Sequence, residues 1–423
     1  MLTSISLDNF KSYQSATLPL ATLTLLIGAN ASGKSNALEA IRLLHWLARG
    51  TRLDDIGQDV NGMKAAFRGY AEDLFLNRAD PLSLGVGFST KNGSGDFSIS
   101  IGLQRTGLQI VAEEMHIGPG QTPYYSKVEQ IPCVIEVFFL AADGKQQLMI
   151  LHDDQPAFYQ LETLYPSATP NWLRDLRLHL RNVMLLDAHP AAMRGYTKIR
   201  DAGIDEDGNN LSAVLYRICQ QGQLAKQALL DFIRSLPEQD ITDIQFIETE
   251  RRDVMVRLQE SFGGQHRLID APLLSDGTLR VLAIGAALLS APKGSLLIIE
   301  EIDNGVHPSR IATLVQQMQA LANQRQLRLL LTSHNPALLD ALPDQALADV
   351  LCCYRDPKDG HSRLVRLGDM ERYPELMAQG SLGDLMTRRV LERFLKDDTS
   401  PEQRKAAALD WLQQFSDTAE KGQ

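Results

Sequence analysis

The chain has 423 residues, a hydrophobic fraction of 44% and a formal net charge of -10, which is the length of two or three domains and the makeup of a globular protein. Its longest apolar runs fall well short of the roughly 20 residues that cross a bilayer, and Met1 opens directly into strand-like alternation rather than a signal peptide. The acidic balance excludes a global pull on nucleic acid, so any such contact needs a local basic patch.

Taken in chain order, Leu2 to Leu7 alternates as a strand, Thr24 to Ile27 reads as a second, and Ala37 to Leu47 carries helical periodicity. Between that strand and that helix lies Gly28-Ala29-Asn30-Ala31-Ser32-Gly33-Lys34-Ser35, a full G-x-x-x-x-G-K-[ST] loop. In this setting successive backbone N–H groups and the helix N-terminus face phosphate oxygens. Asn30, Ala31, Ser32 and Gly33 supply the cradle, Lys34 reaches the outer phosphates, Ser35 ligates Mg²⁺, and Asn36 follows directly. ATP and Mg²⁺ are therefore the expected cofactors.

From about Pro81 to Leu161 short alternating runs are split by Gly, Asn and Asp turns, which predicts an antiparallel, β-rich insertion. Helical spacing then dominates from Trp172 to Leu236 and predicts a helical lobe. Arg174, Arg177 and Arg181 recur there at helical steps, with Arg194, Lys198 and Arg200 following. They offer a local basic stripe for DNA, although a solvated helix face accounts for the same residues. Cys133, Cys219, Cys352 and Cys353 lack C-x-x-C spacing, which argues against a zinc site or a disulfide framework and points to a cytoplasmic protein.

The final third returns to α/β order. Leu274-Ser275-Asp276-Gly277-Thr278 precedes an apolar helix, so Ser275 and the amides around Gly277 make a second helix-start anion site. Leu296-Leu297-Ile298-Ile299-Glu300-Glu301 delivers two carboxylates at the carboxyl end of a buried strand, where ligands bind in open α/β sheets. Because adjacent strand residues point to opposite sides, the acids are given separate roles: Glu300 on Mg²⁺, Glu301 on the attacking water. Thr332-Ser333-His334-Asn335-Pro336 ends another strand and places His334 to reach a transferred phosphoryl group. Strands at Val350 to Tyr354 and Leu364 to Leu367 follow, and the two α/β segments are expected to share one sheet. After Asp397 a turn leads into a charged amphipathic helix through Trp411.

The ordered set GANASGKSN, LSDGT, LLIIEE and TSHNP resembles the ABC ATPases of the RecF/SMC/OLD type, and Asn30 and Asn36 match that group's G-x-N-x-x-G-K-S-N form. Asn9-Phe10-Lys11-Ser12-Tyr13 looks like the same group's N-terminal strand end. LSDGT with EEIDNGVHPSR is similar to compact bacterial "AAA family" ATPases, some of which serve in anti-phage defence. Two positions depart from the wider pattern: Glu300 stands for the usual Asp, and Asp276 for the signature's middle Gly. The resemblance implies a P-loop ABC-type α/β head with a β-rich insertion and a helical lobe, without a long coiled coil. It implies a homodimer or higher homo-oligomer in which Ser275 and Gly277 of one protomer touch the γ-phosphate on the partner's Lys34. The Q-loop glutamine of such proteins is not identifiable, and 185–194 is where it is expected.

The parts expected are 1–54 with the P-loop, the β-rich insertion 55–168, the helical lobe 169–260, the returning ATPase part 261–370, and the helical tail 371–423. Two functions follow: a nucleotide-dependent dimerising switch in DNA-associated processes or anti-phage defence, or a regulatory ATPase subunit controlling a separate nuclease or toxin. No membrane partner is expected.

Overall fold

The computed structural model describes residues 1–57, 65–91, 93–105, 107–118, 122–131, 134–140, 146–167, 169–199, 203–234 and 240–396. Cys133, Arg200 and the expected helix through Trp411 lie outside them.

Six strands, numbered along the chain, make the central sheet in the order β10 (Met184–Leu186), β15 (Leu296–Ile299), β16 (Arg328–Ser333), β3 (Leu23–Ile27), β17 (Leu351–Arg355) and β18 (Ser362–Arg366). All neighbours run parallel except β17 and β18. The P-loop strand β3 thus sits between β16 and β17, so the two ends of the chain share one sheet, as expected. β15 is buried at every position, which is why it reads as an unbroken apolar run: a parallel sheet is covered on both faces.

The two faces feed two cores, sorted by the strand period of two. Leu25, Ile27, Leu297, Ile299, Leu329 and Leu331 join one core with the helices α4 (Leu211–Gln220), α5 (Gln223–Ile233), α6 (Asp276–Ser290) and α7 (Pro308–Arg325). Leu26, Leu296, Ile298 and Leu330 join the other, with α1 (Lys34–Ala48) and α3 (Asn171–Arg181).

α1 lies between the central sheet and an eight-stranded antiparallel sheet ordered β2 (Tyr13–Pro19), β1 (Leu2–Phe10), β4 (Leu82–Thr90), β5 (Gly93–Gln104), β6 (Gly107–Ile117), β7 (Thr122–Ile131), β8 (Val134–Leu140), β9 (Gln146–His152). The β-rich segment therefore extends the N-terminal hairpin through the β1–β4 pairing, with Ile5 opposite Val86. After it come α2 (Ala157–Leu164) and the helical region of α3, α4 and α5, which also contributes β10 to the central sheet. A smaller sheet joins β11 (Thr197–Lys198), β13 (Asp253–Phe262) and β12 (Ile241–Glu248), with β14 (Gln265–Asp270) on β13. The longest described helix, α7, has 18 residues, so no long coiled-coil arm occurs among the described residues. None of their helices is long and apolar enough to cross a membrane.

Candidate functional site

Because β3, β15 and β16 are parallel neighbours, their carboxyl ends open on one edge of the sheet, where an α/β crevice forms. A cavity of about 410 Å³ lies there, lined by Asn30 through Asn36, Glu300, Glu301 and His334, with Arg68, Thr332, Ser333 and Arg355 completing the wall. The three cavity-forming motifs found in the sequence are thus brought together.

The P-loop is held from behind. Gly33 has φ 121°, a conformation natural to glycine, and a Cβ there would collide with the Ser362 hydroxyl. That hydroxyl donates to the Ser32 carbonyl at 2.5 Å and lies 2.8 Å from Ser12 Oγ, which accepts from Asn36 Nδ2 at 2.8 Å. Tyr13 donates to the Gly33 carbonyl at 3.0 Å, and Arg355 Nε donates to Ala31 O at 3.1 Å. Asn36 and the Ser12-Tyr13 strand end therefore brace the loop from outside. α1 starts at Gly33 without a side-chain cap, which leaves its first amides for an external acceptor.

Lys34 Nζ donates to the carbonyls of Gly28 at 2.5 Å and Ala29 at 3.1 Å. Burial lowers its pKa, opposed by the Cys353 thiol and by Glu301. Glu300 donates its N–H to Leu186 O at 2.9 Å, across the β10–β15 pairing. Burial pushes its carboxyl pKa up, and the Asp187 and Glu206 carboxylates add to the effect against Arg42 and Arg68. Asp187, which follows β10 directly, acts on Glu300 electrostatically but does not line the cavity. Arg68 and Arg355 were not anticipated. Arg68 pairs with buried Glu39 at 2.6 Å, a carboxylate that also binds Lys11, and no local pattern links these positions.

The strand ends at Ile299, before both acids. Glu301 turns through φ 46°, its N–H donates to Thr332 Oγ1 at 3.0 Å, and Asn304 Nδ2 donates to its carboxylate. Strand alternation therefore does not separate the pair, and both line the same cavity. Buried Ser333 donates to Asp303 at 2.6 Å, tying the turn after Glu301 to the strand that carries His334, itself exposed.

Ser275 and Gly277 lie elsewhere. Ser275 caps α6, its Oγ accepting from the Thr278 N–H at 3.1 Å. It is exposed and outside the cavity lining. Gly277 packs directly on the Gly305 carbonyl, so a Cβ could not be accommodated there. Arg194 binds Asp276 at 2.5 Å and donates to the carbonyls of Pro272 at 2.8 Å and Leu274 at 2.7 Å, clamping the turn before α6.

Three arginines of the basic stripe are engaged within the fold, while Arg181 and Lys198 stand exposed. Arg194 is used by that turn. Arg177 donates to Ala48 O at 3.0 Å, pairs with Glu162 at 2.6 Å and stacks 4.5 Å from the Tyr159 ring centre. Arg174 donates to the Pro166 carbonyl. Helical spacing put the arginines on one helix, but a long side chain can turn its charged end back into the fold.

Residues 204–340 match the family described as "AAA domain, putative AbiEii toxin, Type IV TA system", and residues 1–63 match "AAA ATPase domain". No curated protein matches the chain. Among solved structures, the SMC head domain from Thermotoga maritima is 14% identical at a TM-score of 0.41, covering 86% of this chain and 98% of that one. The Smc head from Pyrococcus furiosus bound to the C-terminal domain of ScpA is 10% identical at 0.46, covering 89% of this chain and 99% of that one. The two family matches hold, between them, the P-loop, LSDGT, Glu300-Glu301 and His334. Segments 1–63 and 204–340 are thus similar to AAA-type ATPase domains, and together they bring the P-loop and the Glu300-Glu301 strand end to one crevice.

Proposed function

We propose that this protein hydrolyses ATP and that ATP draws two copies together, the LSDGT turn of each closing over the nucleotide of the other. One observation carries the reading: Lys34, Ser35, Glu300, Glu301 and His334 share a cavity, whereas Ser275, with its anion-binding helix start, lies exposed outside that lining. A second copy is the simplest way to unite them.

The residues suit the cofactors. In the cavity Ser35 and Glu300 offer one hydroxyl and one carboxylate, the sparse protein ligand set with which Mg²⁺ is held beside phosphates. Bound there, Mg²⁺ would neutralise charge building on the transferred phosphoryl group. Lys34 would exchange the carbonyls of Gly28 and Ala29 for phosphate oxygens. Glu301, held by Thr332 and Asn304, would orient and deprotonate the attacking water, and His334 would donate to the phosphoryl oxygens.

The description of the family matched by residues 204–340 supports a toxin–antitoxin setting, and the resemblance of LSDGT and EEIDNGVHPSR to compact ATPases supports anti-phage defence. Our second reading, a regulatory subunit that holds or releases a separate nuclease or toxin, rests on that description. A DNA-associated role keeps little residue-level support once Arg177 and Arg194 are engaged within the fold.

Phosphate release from Mg²⁺ and ATP, measured on the purified chain and on Lys34→Ala, tests the site. Turnover that is lost in the variant with its melting transition intact supports it, and wild-type turnover in the variant overturns it.

A further inference from the structure

Behind α1 lies a second cavity of about 610 Å³ that shares no lining residue with the P-loop cavity. Its walls come from the later turns of α1, the end of α3, β10 and the loop 203–209. Such a volume is within the usual range for small-ligand pockets, about 300–1,000 Å³.

The charges on these walls are unevenly satisfied. Arg42 is paired with Glu206 at 2.7 Å, and His45 Nδ1 lies 2.9 Å from Leu180 O. Burial takes the His45 pKa down to about 4, so the ring is neutral at physiological pH. Arg49 and Arg181 differ: among the described residues neither side chain makes an ion pair or a hydrogen bond. Both stand exposed at the rim, and the charge of Arg181, after burial, lowers the pKa of Arg49. Two cations kept near one another without a counter-ion repel. Guanidinium forks bind the oxygens of a phosphate in paired hydrogen bonds, and such a group would offset the repulsion.

The facing loop has the opposite character. Asp205 and Asp207 line it with Asn209, and Asn182 adds an amide near Arg181. A nucleic-acid backbone, negative along its length, would meet those carboxylates unfavourably. The Asp207 carboxylate accepts from the Asn209 N–H at 3.0 Å and has further acceptor capacity, so a small molecule with phosphate at one end and hydroxyl or amino groups at the other suits the charge of both walls.

We propose that this cavity binds a small phosphorylated molecule, its phosphate between Arg49 and Arg181 and its hydroxyl or amino groups on Asp205 and Asp207. The site is separate from the P-loop and does not depend on the catalytic roles given above. Arg42 and Glu206, which line it, also act electrostatically on Glu300, so an occupant would sit one ion pair away from the ATPase carboxylates.

Calorimetric titration of the full chain tests this in a Lys34→Ala background, which weakens phosphate capture at the P-loop. The probes are ribose 5-phosphate, inorganic pyrophosphate and a short single-stranded oligonucleotide. Ribose 5-phosphate and pyrophosphate should bind, and Arg49→Ala with Arg181→Ala should weaken both by about tenfold or more. Asp207→Asn should weaken ribose 5-phosphate and leave pyrophosphate unchanged. Arg49→Lys with Arg181→Lys keeps both charges, guards against a folding failure of the alanine variant, and should weaken binding less than alanine does. No binding of either small probe, or affinity indifferent to the arginine pair in both variants, overturns the proposal. Tighter, arginine-dependent binding of the oligonucleotide than of the small probes would make this a nucleic-acid surface and overturn it equally.

Discussion

Glu300 and Glu301 are consecutive carboxylates with different surroundings, and that difference makes them separable by experiment. Glu300 is pressed among Asp187 and Glu206 and held partly out of water, so its folded-state pKa is raised. A raised carboxyl pKa means the folded chain keeps the proton that the unfolded chain gives up. Stability therefore falls as pH climbs from the ordinary carboxylate range through the folded value, and stays lower above it. Glu300→Gln should melt higher than the parent at neutral pH, on the order of 1–2 °C, and the gain should vanish below the ordinary carboxylate range. Scanning calorimetry at two pH values reads this, and an equal gain at both would remove the electrostatic account. Glu301 is exposed to the cavity; its carboxylate accepts from Asn304 and its own N–H donates to Thr332 Oγ1. Glu301→Gln keeps shape and loses charge, so ATP turnover should slow by about a hundredfold or more while ATP binding survives. A variant that turns over at the parental rate would take the water-activating role away from this residue.

Strand ends and helix starts, more than single side chains, carry the geometry of the site. β3, β15 and β16 were legible because strands buried on both faces of a parallel sheet read as largely apolar runs, Leu329 to Leu331 in β16, and because the P-loop fixes what must follow β3. β10 was missed for a physical reason: Met184–Leu186 is three residues long, too short for periodicity to register beside the helical α3. The antiparallel character of residues 82–152 was visible in alternation, but their pairing with β1 depends on contacts distant in sequence. The internal partners of Arg174, Arg177 and Arg194 were not legible because spacing fixes where a Cα sits and not what the guanidinium reaches. The LSDGT turn is held by Arg194 and by the close approach of Gly277 to Gly305. Arg194→Ala should leave ATP binding to the isolated chain within about twofold, since Arg194 is not in the P-loop lining. It should weaken ATP-driven association by about tenfold or more, because the turn that meets the second copy loses its clamp. Parental association in this variant would mean that the turn needs no support from 185–194.

The molecule as a whole presents a P-loop crevice and, outside its lining, the LSDGT turn with Ser275 exposed. Leu273, two residues before Ser275, is 72% exposed, an apolar side chain at the edge of the surface that an ATP-bound pair would cover. The net charge of -10 opposes association of identical chains at long range, so the closed state we propose would need ATP as the bridging ligand and would loosen after hydrolysis. Glu301→Gln, which binds without turning over, should trap it. Light scattering of Glu301→Gln with Mg²⁺, with and without ATP, measures this directly. The account predicts a doubling of mass with ATP that disappears when Ser275→Arg is added, because a bulky side chain would fill the place of the opposing γ-phosphate. The same mass with and without ATP, in a variant shown to bind ATP, would contradict it.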